Sequence, residues 1–198
     1  MSSLLLKQQQ LEPQQLINAL PSFMERIQKL LDVLEIDLTQ YQADHIALRI
    51  NDCEVAEAAH QAWLQQAEEW SNNEINGRPI IALGFNQALT SNGWSIECLE
   101  LPYPGDKSYP QQGWEHVEWV IPCNVDSQEA FLDYVFKTFP ILKGKWDNLA
   151  SLGVKVKQSC PSGDAERIAN YTIAFKYQGV CIKLHPHSLK AVIESEQA

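Results

Sequence analysis

The sequence predicts an α+β fold in which two βαβββ modules face a shared cleft between curved sheets, behind an N-terminal helical extension. The order of one strand, one helix and three strands occurs twice along the chain, as alternating and helical apolar spacing shows. The two opening strands carry the matched segments Asp44-His-Ile-Ala-Leu48 and Glu115-His-Val-Glu-Trp119. Because neither module can bury a full core alone, we expect the two to pair and to leave the cleft between them.

The chain is long and apolar enough for one substantial core, with 198 residues, 45% of them hydrophobic, and six Trp. We therefore expect a single domain over residues 1–198. Its expected parts are a helical extension at 1–38, a first module at 39–105, a second module at 113–186 and a C-terminal tail at 187–198.

The charge of the chain restricts its partners. A net charge of −10 without a Lys/Arg cluster argues against a nucleic-acid backbone and an anionic membrane surface. No apolar stretch reaches the roughly 18 residues that predict a membrane span. A small anion needs only a few local cations, so the overall charge decides little about a small-molecule ligand or substrate. A cleft formed within one chain is compatible with a monomer and leaves the oligomeric state open.

Cysteine usage and the N-terminal segment predict the compartment. The five Cys are scattered along the chain and form no CxxC pair, which favours a reduced environment. The first 20 residues combine one short apolar patch with a Gln-rich run, unlike a secretory signal. We therefore expect a cytoplasmic protein.

The extension is expected to be helical from residue 1 to about residue 36. Proline is favoured in the first turn of a helix, so Pro13 predicts the start of one helix and Pro21 the start of a second. Helical spacing gives the second helix one apolar face, formed by Phe23, Ile27, Leu30, Leu31 and Leu34. This face predicts a helix that packs on the domain.

The first module is expected to open with a strand at 43–50, followed by a helix at 55–67 that Asn51-Asp52 can cap. A hairpin turn at Asn76-Gly77 separates the next two predicted strands, because this dipeptide favours tight turns. A short loop with Asn92-Gly93 leads into the last strand. The three later strands are placed at 69–75, at 78–85 and in the segment that ends at Glu100.

The second module repeats this order. A strand at 115–122 precedes a helix from residue 126 or 127 to residue 139. In the segment 140–153, Trp146 and Leu149 suggest a helical turn laid on the surface. The remaining elements are strands at 154–158, 171–177 and 180–185, a loop at 161–164 and a short last helix after Pro186.

Potential metal ligands share one face of these strands. Side chains alternate along a strand, so His45 lies on the face of Arg49, and His116 on the face of Glu118. By the same rule Glu100 lies opposite the apolar face of its own strand. A single His on a strand is more often structural than a ligand, but the matched positions in two modules favour a ligand role. Two imidazoles and a carboxylate suit Zn²⁺ or Fe²⁺ with open coordination positions.

These residues resemble a known superfamily. Paired βαβββ modules with a His on each opening strand are similar to the vicinal oxygen chelate proteins, which include glyoxalase I, extradiol dioxygenases and bleomycin-resistance proteins. More specifically, the chain resembles the bacterial YecM proteins, a branch of that superfamily, from about residue 21 to residue 197. The segments that carry this resemblance are Ala43-Asp-His-Ile46, Ile75-Asn-Gly-Arg-Pro-Ile80, Glu100-Leu-Pro-Tyr-Pro-Gly105, Gly113-Trp-Glu-His116 and Ile182-Lys-Leu-His-Pro186.

The superfamily resemblance implies one divalent metal ion, which could be Zn, Fe, Ni, Mn or Co, bound by His45, Glu100 and His116. The position of the usual fourth ligand falls on Lys183, which is a departure from the pattern. An ammonium group has no lone pair to give to a metal. The implied site therefore has three protein ligands and an open side, and Lys183 is a candidate to hold an anionic oxygen of the substrate.

Other polar residues on the same faces have alternative roles. His185 shares the face of Lys183, and Glu118 shares that of His116; each is a candidate replacement ligand, general base or partner that orients an imidazole. We therefore name Lys183, His185 and Glu118 as candidate catalytic residues. Arg49 is a candidate substrate-binding residue, with an ion pair to a nearby carboxylate as the alternative. Arg78 is equally compatible with a structural role and with anion binding.

Two functions follow from the resemblance. The first is a metal-dependent isomerase, lyase or oxygenase that acts on a small oxygen-rich molecule. The second is a non-catalytic protein that binds a small molecule in the same cleft, as the drug-sequestering relatives do. The sequence contains no nucleotide-binding glycine motif and no hydrolase nucleophile motif, so it favours neither of those classes.

Overall fold

The computed structural model describes residues 2–75, 78–160 and 168–197. Within these residues the helices and strands follow the predicted order, and a short 3₁₀ helix follows α5 at Trp146–Asn148. The helices are α1 (Ser2–Gln9), α2 (Pro13–Leu34), α3 (Cys53–Trp63), α4 (Gln128–Thr138), α5 (Pro140–Lys145) and α6 (Leu189–Gln197). The strands are β1 (Ala43–Arg49), β2 (Ala67–Ile75), β3 (Arg78–Ser91), β4 (Trp94–Pro102), β5 (Gly113–Val120), β6 (Lys155–Ser159), β7 (Thr172–Tyr177) and β8 (Val180–His185).

The eight strands form a single curved sheet in the order β2-β3-β4-β1-β5-β8-β7-β6. In each half the opening strand pairs in parallel with the closing strand, β1 with β4 and β5 with β8. The two halves join through the antiparallel pair β1–β5. This arrangement confirms the predicted α+β class, with two βαβββ modules that face one cleft and an N-terminal helical extension.

The main core lies on one face of the sheet, against α2, α3 and α4. Trp63 on α3 contacts Trp114 on β5, and Trp94 contacts Trp119 in the middle of the same core. A smaller cluster on the opposite face joins α6 to the first module, where Ile193 packs against Ala82 and Cys98. Helix α6 therefore forms a wall beside the cleft, while the larger helices support the floor from behind.

One prediction about the extension is wrong, because Pro21 starts no second helix. It lies inside α2, which continues over 22 residues. Proline removes one backbone donor and crowds the preceding turn, which ordinarily kinks or ends a helix. Here Leu20 and Phe23, which flank the proline, are buried, and Pro21 itself faces solvent. Packing on both sides of the proline outweighs the local cost.

Turn and cap chemistry explains several boundaries. Asp52 accepts a hydrogen bond from the amide of Val55 at 3.0 Å and caps α3, as expected. Ala67 begins β2, so α3 is shorter than predicted and ends at Trp63. Asn92 and Gly93 both have positive φ and form a two-residue hairpin turn between β3 and β4. The predicted Asn76-Gly77 turn and the loop at 161–164 lie outside the described residues. None of the described helices combines the length and apolarity needed to cross a membrane.

Candidate metal centre

The centre of the sheet brings four potential ligands together. Strand β1 lies between β4 and β5, so the register places Ala47 beside Glu100 on one side and beside His116 on the other. His45 pairs with Glu118 on the β5 side. Ligand atoms of His45, Glu100, His116 and Glu118 all lie within 4.8 Å of one another. The three metal ligands implied by the resemblance are therefore neighbours in space, and Glu118 joins them.

Glu118 Oε1 is the atom on which this cluster converges. It lies 3.1 Å from Nε2 of His45 and 3.0 Å from Nε2 of His116. Oε2 of Glu100 lies 3.4 Å from the same nitrogen of His116. Both imidazoles and Glu118 are buried, whereas 17% of the Glu100 side chain is exposed and faces the cleft.

A carboxylate from the preceding residue orients each imidazole. Asp44 Oδ2 lies 2.8 Å from Nδ1 of His45, and Glu115 Oε2 lies 3.2 Å from Nδ1 of His116. The β1–β5 pairing is irregular at both places, with register shifts that leave Asp44 and Glu115 unpaired. Strand irregularities of this kind redirect side chains against the alternating rule. Each carboxylate therefore stands beside its own His instead of on the opposite face.

Asp44 and Glu115 are site residues that the sequence argument did not name. The signal was present, since the matched segments of the two modules place an acidic residue directly before each His. Alternation along a regular strand would send those residues to the helix-covered face, which is why they were missed. Asp44 also accepts a hydrogen bond from the amide of Leu189 at 2.8 Å, so it links the centre to the start of α6.

The cluster is electrostatically poised to hold positive charge. Burial by itself would lower the pKa of His45, but the charges and hydrogen bonds of Glu118 and Asp44 outweigh it and raise that pKa to about 10. Burial would likewise raise the pKa of Glu100, yet the hydrogen bond from His116 and nearby cations hold it at about 2. Both carboxylates of the cluster stay ionised.

Lys183 is held by Glu118. Its Nζ lies 2.6 Å from Glu118 Oε1, in a side chain that is 26% exposed. Burial would lower the pKa of Lys183, but the charges of Glu118 and Glu100 raise it. The same ion pair keeps the pKa of Glu118 well below its usual range despite burial. Lys183, which stands where the superfamily pattern has its fourth ligand, is therefore a counter-cation for Glu118.

His185 lies behind the cluster and is completely buried. Its Nδ1 contacts the backbone carbonyl of His187 at 2.5 Å, and burial lowers its pKa. Its Nε2 has no hydrogen-bond partner among the described residues and lies 3.7 Å from Glu118 Oε2 and 3.8 Å from Asp44 Oδ2. His185 is thus near the predicted centre, but it does not line the cleft.

Arg49 forms an ion pair with a carboxylate, which was the predicted alternative to substrate binding. Its guanidinium contacts Glu115 and lies over the ring of Tyr109, 3.9 Å from the centroid. It also lines the cleft, so the same side chain faces any molecule bound there. The pair ties the carboxylate that orients His116 to the wall of the cleft.

The cleft is a cavity of about 550 Å³ that opens above the cluster. Glu100, His116 and Glu118 form its floor, together with His45. Its walls come from both modules, from the proline-rich connection between β4 and β5, and from α6. A volume of this size admits a small molecule, which could reach the floor directly.

The donor set fits a divalent cation. Nδ1 of each His faces a carboxylate, and Nε2 of His45 and Nε2 of His116 both face Glu118 Oε1. Once deprotonated, these two Nε2 atoms would present lone pairs to a cation between them and Glu118. Acceptors this close repel one another unless a cation, either protons on the imidazoles or a metal ion, lies among them. Imidazoles backed by carboxylates are the usual arrangement of metal-binding His residues. The buried donors thus suit a metal ion chemically and in orientation.

Comparison with known proteins identifies the family. The model of the family described as YecM protein matches residues 12–196. The chain belongs to the YecM family. Protein YecM of Escherichia coli (strain K12) is 34% identical over 187 residues, which cover 94% of this chain and 95% of that protein.

Two further proteins extend the YecM-family comparison. An uncharacterised protein of Haemophilus influenzae is 33% identical over 174 residues, covering 85% of this chain and 86% of that protein. A solved structure described as the structural-genomics protein EC4020 aligns with a TM-score of 0.79 and 33% identity. That alignment covers 94% of this chain and 93% of the other. The fold that this chain shares with that protein therefore extends over nearly the whole chain.

Proposed function

We propose that this YecM-family protein binds one divalent metal ion through His45, Glu100 and His116, and that Glu118 completes the ligand set. The observation that carries the proposal is the convergence of these four side chains, with ligand atoms within 4.8 Å of one another, on the floor of an open cavity. The vicinal oxygen chelate pattern noted in the sequence supports the first three ligands. Glu118 takes the place of the carboxylate that is missing at Lys183.

Four protein ligands indicate which ions suit the centre. Tetrahedral Zn²⁺ would be saturated by four donors, whereas six-coordinate ions keep positions for a substrate. We therefore expect Mn²⁺, Fe²⁺, Co²⁺ or Ni²⁺ to support activity better than Zn²⁺. The bound ion would supply Lewis acidity to oxygen atoms of the substrate.

We propose that the activity is a metal-dependent isomerisation, elimination or oxygenation of a small oxygen-rich molecule. Asp44 and Glu115 hold the two imidazoles in place, and Lys183 keeps Glu118 ionised and oriented. Because His185 lies behind the floor, beside Glu118 and Asp44, we assign it a structural role rather than contact with the substrate.

Metal content tests the proposal directly. Purified tag-free protein is stripped with chelator, incubated with each ion, desalted and measured by elemental mass spectrometry. We expect about one equivalent in the wild type and in His187→Ala, which removes a His from the C-terminal tail. We expect loss of binding in the His45→Ala, His116→Ala double variant. Equal metal in wild type and double variant, or none in either, would overturn the proposed centre.

A second candidate is a metal-free binding protein that uses the same cleft. The Lys183–Glu118 ion pair favours it, because an internal cation already neutralises part of the cluster. A ligand would then raise the melting temperature of the protein equally with and without chelator, and adding a metal ion would not produce catalytic turnover. Chelator-sensitive ligand binding contradicts this candidate.

A further inference from the structure

The cleft concentrates positive charge in an otherwise acidic chain. The chain has 15 Lys and Arg against 25 Asp and Glu. Yet the described residues that line the cleft include six basic side chains and three acidic ones. The basic ones are Arg49, Arg78, Lys107, Lys157, Lys176 and Lys183. An excess of one charge within a concave wall attracts small ligands of the opposite charge.

The basic side chains nearest the metal centre already face carboxylates. Arg49 is paired with Glu115, and Lys183 with Glu118. Lys176, whose side chain is 53% exposed, lies 3.9 Å from Glu115. These three side chains face Glu115 and Glu118, two carboxylates that line the cleft, so they leave little charge to spare for a ligand.

Arg78 is different. It is half-buried at the start of β3, and no carboxylate pairs with it among the described residues. The one side-chain hydrogen bond that it makes to a described residue runs from Nη1 to the carbonyl of Tyr103 at 3.4 Å, which anchors it to the proline-rich connection. A guanidinium has five N–H donors in a rigid fork that matches carboxylate and phosphate oxygens. Among the residues that the structure describes, Arg78 therefore presents unused donors and an uncompensated charge to the cleft.

The position of Arg78 separates it from the metal centre. Glu100 pairs with Ala82 on β3, four residues beyond Arg78. At about 3.4 Å per residue the two levels are roughly 14 Å apart along the strand, and the long arginine side chain spans part of that gap. Lys107 and Lys157, both exposed, line the same cavity. One small molecule can therefore reach the floor and this outer basic wall together.

We infer that the substrate carries a second acidic group, a carboxylate or a phosphate, which Arg78 binds while the other end of the molecule reaches the centre. This inference rests on the proposed function only for the end of the substrate that reaches the metal centre. Arg78 is the specificity residue, because its guanidinium is anchored to Tyr103 and pairs with no carboxylate among the described residues. Lys107 and Lys157 add charge that attracts the anion to the cleft.

Matched pairs of small acids test this inference. Lactate and malate share a 2-hydroxy acid head, and only malate carries a second carboxylate. Glycerate and 3-phosphoglycerate differ in the same way by a phosphate. Affinities are measured by calorimetry on the metal-loaded full chain, and thermal stabilisation by inorganic phosphate is measured on the metal-free chain.

We expect malate or 3-phosphoglycerate to bind at least about tenfold more tightly than its partner, as a charge-assisted contact predicts. Arg78→Gln should abolish that preference and leave the affinity for lactate and glycerate unchanged. Arg78→Lys should restore part of it, because the charge returns without the fork. Arg26→Gln, at an exposed position on α2, should behave as the wild type.

The outcomes separate the two proposals. A preferred carboxylate identifies a dicarboxylic substrate class, and a preferred phosphate identifies a phosphorylated one. Equal binding within both pairs, or a preference that survives in Arg78→Gln, overturns the anion anchor and leaves the metal centre standing. Failure to load metal, with phosphate stabilisation that Arg78→Gln removes, overturns the metal centre and keeps the anchor.

Discussion

Replacing Lys183 by Met tests whether this residue is an internal substitute for metal charge. The change keeps the length of the side chain and removes its ammonium group. Glu118 would lose the partner at 2.6 Å and stay buried beside Glu100, with only the imidazoles to balance both carboxylates. Removing one partner of a buried ion pair costs about 3–5 kcal/mol. Since Lys183 is 26% exposed, we expect the lower end, about 3 kcal/mol.

The assay is thermal unfolding of metal-free and metal-loaded protein. For a chain of this size, about 3 kcal/mol corresponds to a melting temperature lowered by roughly 6–12 °C in chelator. A divalent ion at about 100 times its dissociation constant adds roughly 2.7 kcal/mol to the free energy of unfolding. We therefore expect metal to stabilise Lys183→Met more than the wild type, because the ion replaces the missing cation and meets less repulsion.

Lys176→Met is the matched control. Its ammonium also faces a carboxylate of the site, but across 3.9 Å and with a largely exposed side chain. Exposed pairs contribute roughly 0–1 kcal/mol, so its melting temperature should stay close to that of the wild type. The reasoning is refuted if Lys183→Met is as stable as the wild type in chelator, or if metal stabilises both proteins equally.

Three further substitutions test single contacts. Glu115→Gln frees the imidazole of His116 and should weaken metal binding about 10–100-fold by titration, with an unchanged affinity as the contrary result. Pro21→Ala restores an interior backbone donor of α2 and should raise the free energy of unfolding, measured in urea, by roughly 1–3 kcal/mol. Pro13→Ala is the control, because Pro13 lies in the first turn and its replacement should give no such gain. Equal changes in the two variants would contradict this prediction. Asp52→Ala removes the cap of α3 and should cost about 1 kcal/mol by the same measurement, whereas no loss would show the cap to be dispensable.

The sequence predicted more of the strands than of the helices around them. Strand alternation placed His45 and His116 opposite the apolar residues that face the core, and the structure has them there. The strength of this prediction comes from a period that each strand carries within itself. Pro21 shows the opposite case, since whether a proline ends a helix depends on packing that local sequence does not contain.

The sequence predicted only some of the residues of the metal centre. His45 and His116 were named from their matched positions in the two modules, and the superfamily resemblance added Glu100; the three are neighbours in the structure. Asp44 and Glu115 were not named, because two irregularities in the β1–β5 pairing turn them toward the imidazoles. Such irregularities arise from how two strands distant in sequence fit together, so neither strand shows them alone.

By itself, the sequence determined the order of the two modules, the buried face of each strand and the identity of three potential ligands. Those features depend on residue type and local spacing. Only the tertiary structure decided that Glu118 is the point of convergence, that Lys183 neutralises it, and that Arg78 stands unpaired among the described residues of the cleft wall. These are relations between side chains on different strands, and register and sheet curvature set them.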